Sequence, residues 1–370
     1  MLSTIFDRTK VQLDESLPFV LYSKPGEHIL NAMFQFDDAV HKVTDYTENG
    51  FVFAPFMADE APILLRSDEV HSIALEDEVL GTVFKSEEAQ VSAIEEERYK
   101  TLLEKAILEI KSGKCKKIVL SRYISVKQTK PVLKLFGQLL KTYPNAFCYL
   151  WYHPKVGMWL GATPEILIKT RGLEFTTMSL AGTQTQKIGE NEPKWTVKEL
   201  DEQQLVTDYI KEVLEHKIKE VRYSEAETVK AGHLWHLRTK ITGRFSKGQL
   251  KELVTALHPT PAVCGLPLNE ARSFILENEQ YRRSYYTGFL GELNFKTNRT
   301  RNRNQKNQEN SAYRSVTTAS ELFVNLRCMQ LEKENALVYV GGGVTQDSDV
   351  EKEWMETQSK AQTMLRILFS

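Results

Sequence analysis

Two pairs of glutamates, Glu199/Glu202 and Glu353/Glu356, lie three residues apart in segments of helical periodicity. That step places both carboxylates of a pair on one helix face. Two such faces, brought together, offer oxygen ligands to a hard divalent cation. Mg²⁺ commonly takes one or two protein carboxylates and keeps waters and a substrate oxygen. Lys360 follows Glu356 by one helical turn. The same spacing also describes solvated helix surface, where most glutamates reside.

Lys116 and Lys117 open an apolar run. Alternation along a strand sends them to opposite faces, so one of the two can point inward. A buried lysine can give up its proton and act as a general base. Two lysines at an exposed strand entrance fit the pattern as well. Glu165 follows Thr163-Pro164, where a strand ends and the chain reverses. A carboxyl there is a general acid if burial raises its pKa, or otherwise a turn residue facing water. His236, between Trp235 and Leu237, suits a pocket or a plain core. Arg327 interrupts an apolar run. Its planar fork calls for a carboxylate, from a substrate or from an internal salt bridge. Pro259, Pro261 and Pro267 would stiffen a loop into a pocket wall.

The elements that must hold these groups are legible from hydropathy. A helix is expected over 92–113, with Ser92 and Glu95 as a capping box and Ile94, Leu102, Leu103, Ala106, Ile107 and Ile110 as its apolar stripe. A longer one is expected over 195–219, with Leu200, Leu205, Val206, Tyr209, Ile210, Val213 and Leu214 inward. Further helices fall at 132–142 and 349–368. Strands are expected at 116–126, 146–152, 156–162, 285–293, 321–331 and 336–344, with a hairpin, 165–170 and 173–180, around Arg171–Gly172. Residues 1–90 read as short strands and loops, 51–56 and 62–65 among them. Helices and strands interleave without a βαβ rhythm, which argues for an α+β fold with large, mostly antiparallel sheets.

Composition removes whole classes of function. The 370 residues carry 48 Lys+Arg against 49 Asp+Glu, a net charge of −1, so charge gives no reason to expect nucleic acid or a membrane surface. No apolar run approaches the ~20 residues of a membrane span. Asp7 and Arg8 stand where a signal peptide would have its apolar core, and a cytoplasmic protein is expected. Cys115, Cys148, Cys264 and Cys328 are far apart, neither a disulfide framework nor a zinc site. Dinucleotide, Walker, HExxH and GxSxG motifs are absent. The polar stretch 296–314 reads as a solvated loop. Its lack of interleaved aromatics argues against a nucleic-acid patch.

Taken in order, KIVLSR (117–122), LGATPE (160–165), SLAGT (179–183), LWHL (234–237), LHPTPAVCG (257–265), GFLGE (288–292), NLRC (325–328), GGGV (341–344) and EWMETQSKAQTML (353–365) resemble the chorismate-utilising enzymes. That family includes isochorismate, salicylate, anthranilate and aminodeoxychorismate synthases. The resemblance spans roughly 95–370 and is nearest to the isochorismate synthases. It implies an anthranilate synthase component I-like fold, antiparallel sheets packed together and flanked by helices. It also implies a catalytic domain over 91–370 and a variable N-terminal part over 1–90. The implied activity is a Mg²⁺-dependent isomerase that turns chorismate into isochorismate, with salicylate synthase as the alternative. The implied roles are Lys117 as base, Glu165 as acid, and Glu202 and Glu356 as metal ligands, with Glu199 and Glu353 beside them or ligating through water. Gly182, Thr183, His236, Arg327, Gly341, Gly342 and Lys360 would bind substrate. Relatives that use a nucleophilic lysine carry it in a PIKGT motif, against which LRTKITG (237–243) offers only Lys240. Water is therefore the expected nucleophile, and no glutamine amidotransferase subunit is expected. Menaquinone and catechol siderophore pathways both consume such a product.

Overall fold

The computed structural model describes residues 2–75, 92–185, 193–218, 220–231, 234–299 and 315–369. The strands before residue 200 are β1 Phe19–Ser23, β2 Ile29–Phe34, β3 His41–Lys42, β4 Gly50–Ala54, β5 Ile63–Leu65, β6 Glu69–Ala74, β7 Lys117–Lys127, β8 Phe147–His153, β9 Gly157–Thr163, β10 Ile166–Arg171 and β11 Glu174–Thr185. Those after it are β12 Glu220–Tyr223, β13 Glu227–Ala231, β14 Leu234–Arg244, β15 Gly265–Leu266, β16 Phe289–Arg299, β17 Ser315–Val324, β18 Cys328–Glu332 and β19 Asn335–Val344. The helices are α1 Leu2–Asp14, α2 Ala93–Lys111, α3 Val132–Thr142, α4 Val197–Glu215, α5 Leu250–Leu257, α6 Leu268–Asn278 and α7 Val350–Phe369.

These strands form two large sheets. One runs β15-β7-β19-β18-β9-β8-β1-β2-β6 and the other β12-β14-β11-β10-β17-β16-β4-β5-β3, with β13 on β14. Neighbours such as β7 and β19 pair antiparallel, as the hairpin-rich sequence implies. An aromatic seam lies between the sheets: Tyr22, Tyr149, Trp151 and Trp159 from one, Phe51, Phe53 and Phe323 from the other. Rings of this size supply the largest buried areas of any side chains. On the outer faces α1, α3 and α7 cover the first sheet and α4 and α5 cover the second. The strands β1, β2 and β6 extend the first sheet and β3, β4 and β5 the second, so the N-terminal region contributes to both.

Some expectations need correction. The run 321–331 is two strands, not one: β17 belongs to one sheet and β18 to the other. The chain changes sheets at Asn325–Arg327, with Arg327 at φ 49°. Strand periodicity continues across such a crossing because both sides bury apolar side chains. The run 285–293 likewise begins as a turn, with Thr287 at φ 62°, and is strand only from Phe289. Strand β16 then continues to Arg299, into the stretch read as a loop, while 300–314 lie outside the described residues. Ile94 and Leu200 are exposed at 65% and 46%, off the inward stripes assigned to them. Helix α1 escaped sequence reading because its buried face is half polar: Thr9 and Gln12 are 0% exposed beside Ile5. Gln12 Nε2 donates to the Pro18 carbonyl at 3.0 Å, which satisfies its burial. All four cysteines are buried and unpaired. Among the described residues, no helix is long and apolar enough to cross a membrane.

Candidate active site

Two chain crossings between the sheets meet at the site. Strand β9 passes to β10 through Pro164–Glu165, and β17 passes to β18 through Asn325–Arg327. They are bonded to each other: Val324 N donates to the Glu165 carbonyl at 3.0 Å, and Ala162 N donates to the Arg327 carbonyl at 3.0 Å. Thr163 Oγ1 donates to the Val324 carbonyl at 2.6 Å. A third segment joins them, with Thr287 N donating to the Asn325 carbonyl at 2.9 Å. Positive-φ residues that persist in such tightly bonded crossings mark functional sites. Here they deliver Glu165 and Arg327 to one cleft, whose lining includes Gly182, Glu202, His236, Lys360 and Gly341–Gly343.

Lys116 is exposed, and Lys117 is the inward residue at 0% exposure. The Lys117 Nζ stands 2.8 Å from Glu202 Oε1 on α4. That contact is close but lacks hydrogen-bond angles, so the nitrogen has directions left for another partner. Lys117 lies directly behind Gly343, a lining residue of the cleft, and is not itself among the residues that line it. A Cβ built at Gly343 would fall 2.5 Å from Glu202 Oε1, 2.8 Å from Lys117 Cε and 3.3 Å from Lys117 Nζ. Gly343→Ala therefore meets only flexible side-chain ends. It is expected to leave the melting temperature nearly unchanged while displacing both groups and cutting turnover about 100-fold. A variant with wild-type turnover would show that neither group needs its present position.

The carboxylates gather on the same glycine strand. Glu353 Oε2 and Glu356 Oε1 lie 3.6 and 3.7 Å from a Cβ built at Gly342. Glu353 is 1% exposed. Glu356 Oε1 pairs with Lys360 Nζ at 2.6 Å, and Lys360 Nζ also donates to the Gly341 carbonyl at 3.0 Å. Glu199 faces a different task. Its carboxylate accepts from Thr196 N at 2.9 Å, from the Thr196 hydroxyl, and from Gln184 Nε2 at 3.2 Å. It thus caps the N-terminus of α4, while Glu202, a turn further, reaches the cleft. Among the described residues no three acids, histidines or cysteines stand close enough to hold a metal as they are. Glu202 and Glu356 face lysines instead. The donor chemistry is nevertheless of the kind Mg²⁺ takes: Glu353 and Glu356 stand near Gly342, and Glu202 stands at the adjacent Gly343.

Glu165 is 6% exposed. Burial pushes its carboxyl up to about 7, against the opposing pull of Lys117, Arg327 and Lys360. Arg327 is half-buried, and burial lowers the pKa of its guanidinium. Its Nη1 donates to Thr363 Oγ1 at 3.3 Å. Among the described residues no carboxylate forms an ion pair with it, so an internal salt bridge does not account for its fork. The second strand wall comes from β11 and β14. Gly182, at φ 72°, sits in the register shift between Ala181 and Thr183. A Cβ there would lie 3.1 Å from that of Glu199. Its carbonyl approaches His236 Nδ1 at 3.1 Å, which places that ring's proton on Nδ1. Thr183 stands opposite His236 in the β11–β14 ladder.

Several lining residues escaped the sequence reading. Tyr286 and Thr287 fall in the expected strand 285–293 and Leu326 in the expected strand 321–331, none of them with a role, yet all three line the cleft. Their signal is the interrupted pattern YYTG, a glycine directly after polar residues in an apolar run. Lys240 is exposed and cannot reach the cleft.

Comparison with known proteins shows the family and the fold. A family model described as chorismate binding enzyme matches residues 64–299 and 313–369. The chain is 28% identical over 293 residues to the isochorismate synthase DhbC of Bacillus subtilis (strain 168), covering 74% of this chain and 68% of that protein. It is 29% identical over 264 residues to the isochorismate synthase EntC of Escherichia coli (strain K12), covering 68% and 62%. The crystal structure of DhbC from Bacillus anthracis superposes with a TM-score of 0.75 at 22% identity, over 95% of this chain and 96% of that one. Anthranilate synthase component I from Streptococcus pneumoniae TIGR4 superposes at 0.66 and 19% identity, over 94% and 90%.

Proposed function

The chain belongs to the chorismate-binding enzyme family, and we propose that within it this protein is an isochorismate synthase, an isomerase that adds water at ring position 2 of chorismate and expels the hydroxyl from position 4. The observation that carries the reading is Glu165. Burial holds its proton up to about 7 in the cleft, within the electrostatic reach of Lys117 behind Gly343. A hydroxyl is a poor leaving group and needs a proton as it departs. A carboxyl that stays protonated near neutral pH can supply it, and an amine nearby can take the proton of the attacking water.

In this reading the water oxygen bonds to position 2 as both conjugated ring double bonds shift by one position and the bond from position 4 to oxygen breaks. The water proton passes to Lys117 Nζ, and the Glu165 proton leaves with the departing hydroxyl as water. One water enters and one leaves, so the product is an isomer. Arg327 and Lys360 receive substrate carboxylates, Gly182, Thr183 and the Gly341–Gly342 backbone shape the pocket, and His236 fixes its wall. Glu202, Glu353 and Glu356 would hold Mg²⁺, with Glu199 supporting from the helix cap. When bound, the ion neutralises carboxylate charge and draws electron density from the ring. Residues 91–370 carry this chemistry, and residues 1–90 complete the sheets that support it. With water as the nucleophile, no amidotransferase partner is required.

Purified protein incubated with chorismate and Mg²⁺ is expected to yield isochorismate as the sole product, followed by chromatography. Salicylate plus pyruvate would replace this reading with a salicylate synthase, and no turnover at all would leave a binding protein.

A further inference from the structure

We propose that Arg122 is a positioning residue for the two acids of α7, setting the rotation of that helix so that Glu353 and Glu356 meet the glycine strand. The inference rests on the reading above, in which these acids hold the divalent cation.

Arg122 and Lys117 are an odd number of residues apart on β7 and so lie on opposite faces. Lys117 lies behind Gly343. Arg122 turns to the helix layer, where it is 8% exposed. Its Nε and Nη2 both donate to Thr357 Oγ1, at 3.1 and 3.0 Å. Its guanidinium lies 4.2 Å from the ring centre of Trp354 and 5.6 Å from that of Tyr99. Trp354 directly follows Glu353 in the chain, and Thr357 directly follows Glu356. The Thr357 hydroxyl in turn donates a hydrogen bond to the Trp354 carbonyl at 2.8 Å. One rigid fork therefore grips the helix beside each acid.

The choice of residue is informative. Among the described residues no carboxylate forms an ion pair with Arg122, and its Nη1 is buried without an acceptor. A buried, uncompensated charge is costly, and a well-packed apolar side chain of similar volume would be cheaper. An apolar side chain would fill the space but would let α7 rotate and slide. The planar donor fork, stacked on Trp354 and bonded to Thr357, specifies one rotation. Since successive residues turn by about 100° around a helix, a small error in that rotation moves both carboxylates off the glycines.

The test is metal binding by substrate-free protein, read by the electron paramagnetic resonance of Mn²⁺, with loss of the bound signal in Glu356→Gln assigning it to this site. Arg122→Met is expected to weaken Mn²⁺ binding about tenfold, as loss of a ligand-orienting residue does, with kcat at saturating metal within about threefold of wild type. Thr357→Val should shift the affinity in the same direction, and Thr357→Ser, which keeps the hydroxyl, should stay within about twofold. A merely structural role would lower melting temperatures without separating valine from serine. Folded Arg122→Met and Thr357→Val proteins with wild-type Mn²⁺ affinity would overturn the proposal. Should Arg122→Met fail to fold, the valine–serine comparison decides. Mn²⁺ binding without isochorismate formation would remove the proposed activity and leave this inference standing. A wild-type protein that binds no Mn²⁺ would remove both.

Discussion

Lys117→Ala is expected to lower isochorismate formation by about 10³-fold while the protein still folds and binds chorismate. The expectation follows from where the amine lies. Lys117 is 0% exposed, behind a glycine, with Glu202 Oε1 at 2.8 Å. No neighbouring group among those lining the cleft offers another amine at that place; Lys360 is committed to Glu356 and to the Gly341 carbonyl. Loss of a buried partner is most harmful when the remaining charge is sealed from water. The Glu202 side chain retains 14% exposure, so it can turn to solvent or to a cation. Stability should therefore fall far less than activity does. The measurement is kcat from product formation, with circular dichroism to confirm folding. A Lys117→Ala enzyme that turns over like the wild type would remove the amine from the mechanism.

The second large effect concerns Glu165 and has opposite signs for rate and stability. Glu165→Gln lacks the departing proton and should lose about 10²–10⁴-fold in rate. The wild-type rate should fall as pH rises through about 7, where Glu165 gives up its proton, and this limb should be missing from the residual rate of the glutamine variant. Stability follows from linkage. Burial raises the folded pKa to about 7 from an ordinary 4.5, so between these values the folded state binds more protons than the unfolded one. Stability on this account is lost as pH rises through that window, reaching a cost of about 3 kcal/mol by pH 8. Glutamine carries no charge to bury. The variant should therefore melt above the wild type at pH 8 and close to it at pH 4, as thermal unfolding across pH would show. Equal pH dependence of melting in both proteins would mean that Glu165 is ionised without cost, which would undo its assignment as the acid.

Much of the fold was legible because local patterns and the tertiary structure agree. Ser92 caps α2, its Oγ accepting from Glu95 N at 3.2 Å, as the sequence signal implies. The alternating apolar strands became antiparallel ladders, β10 and β11 turning at Arg171–Gly172. The two misread strands have one cause. Apolar runs at 285–293 and 321–331 pass from one buried environment directly into another, and hydropathy reports burial, not which sheet does the burying. Glu199 shows the same limit from the polar side. Its i+3 partnership with Glu202 is real as spacing, but helix-capping geometry claims its carboxylate.

By itself the sequence determined which residues have chemistry to offer: one lysine of two at a strand entrance, a glutamate after a proline, acids three apart on two helices and a run of glycines. Residue type, spacing and motif order are local properties, carried by the chain wherever it goes. Only the tertiary structure decided that the two sheet crossings bond to each other, that Glu202 and Lys117 pack against Gly343 while Glu353 and Glu356 stand near Gly342, and that Glu165 is buried enough to hold a proton near neutral pH. Those properties depend on segments distant in the chain, such as 162–165 and 324–327, packing together, and the desolvation that tunes Glu165 exists only once the layers around it have packed.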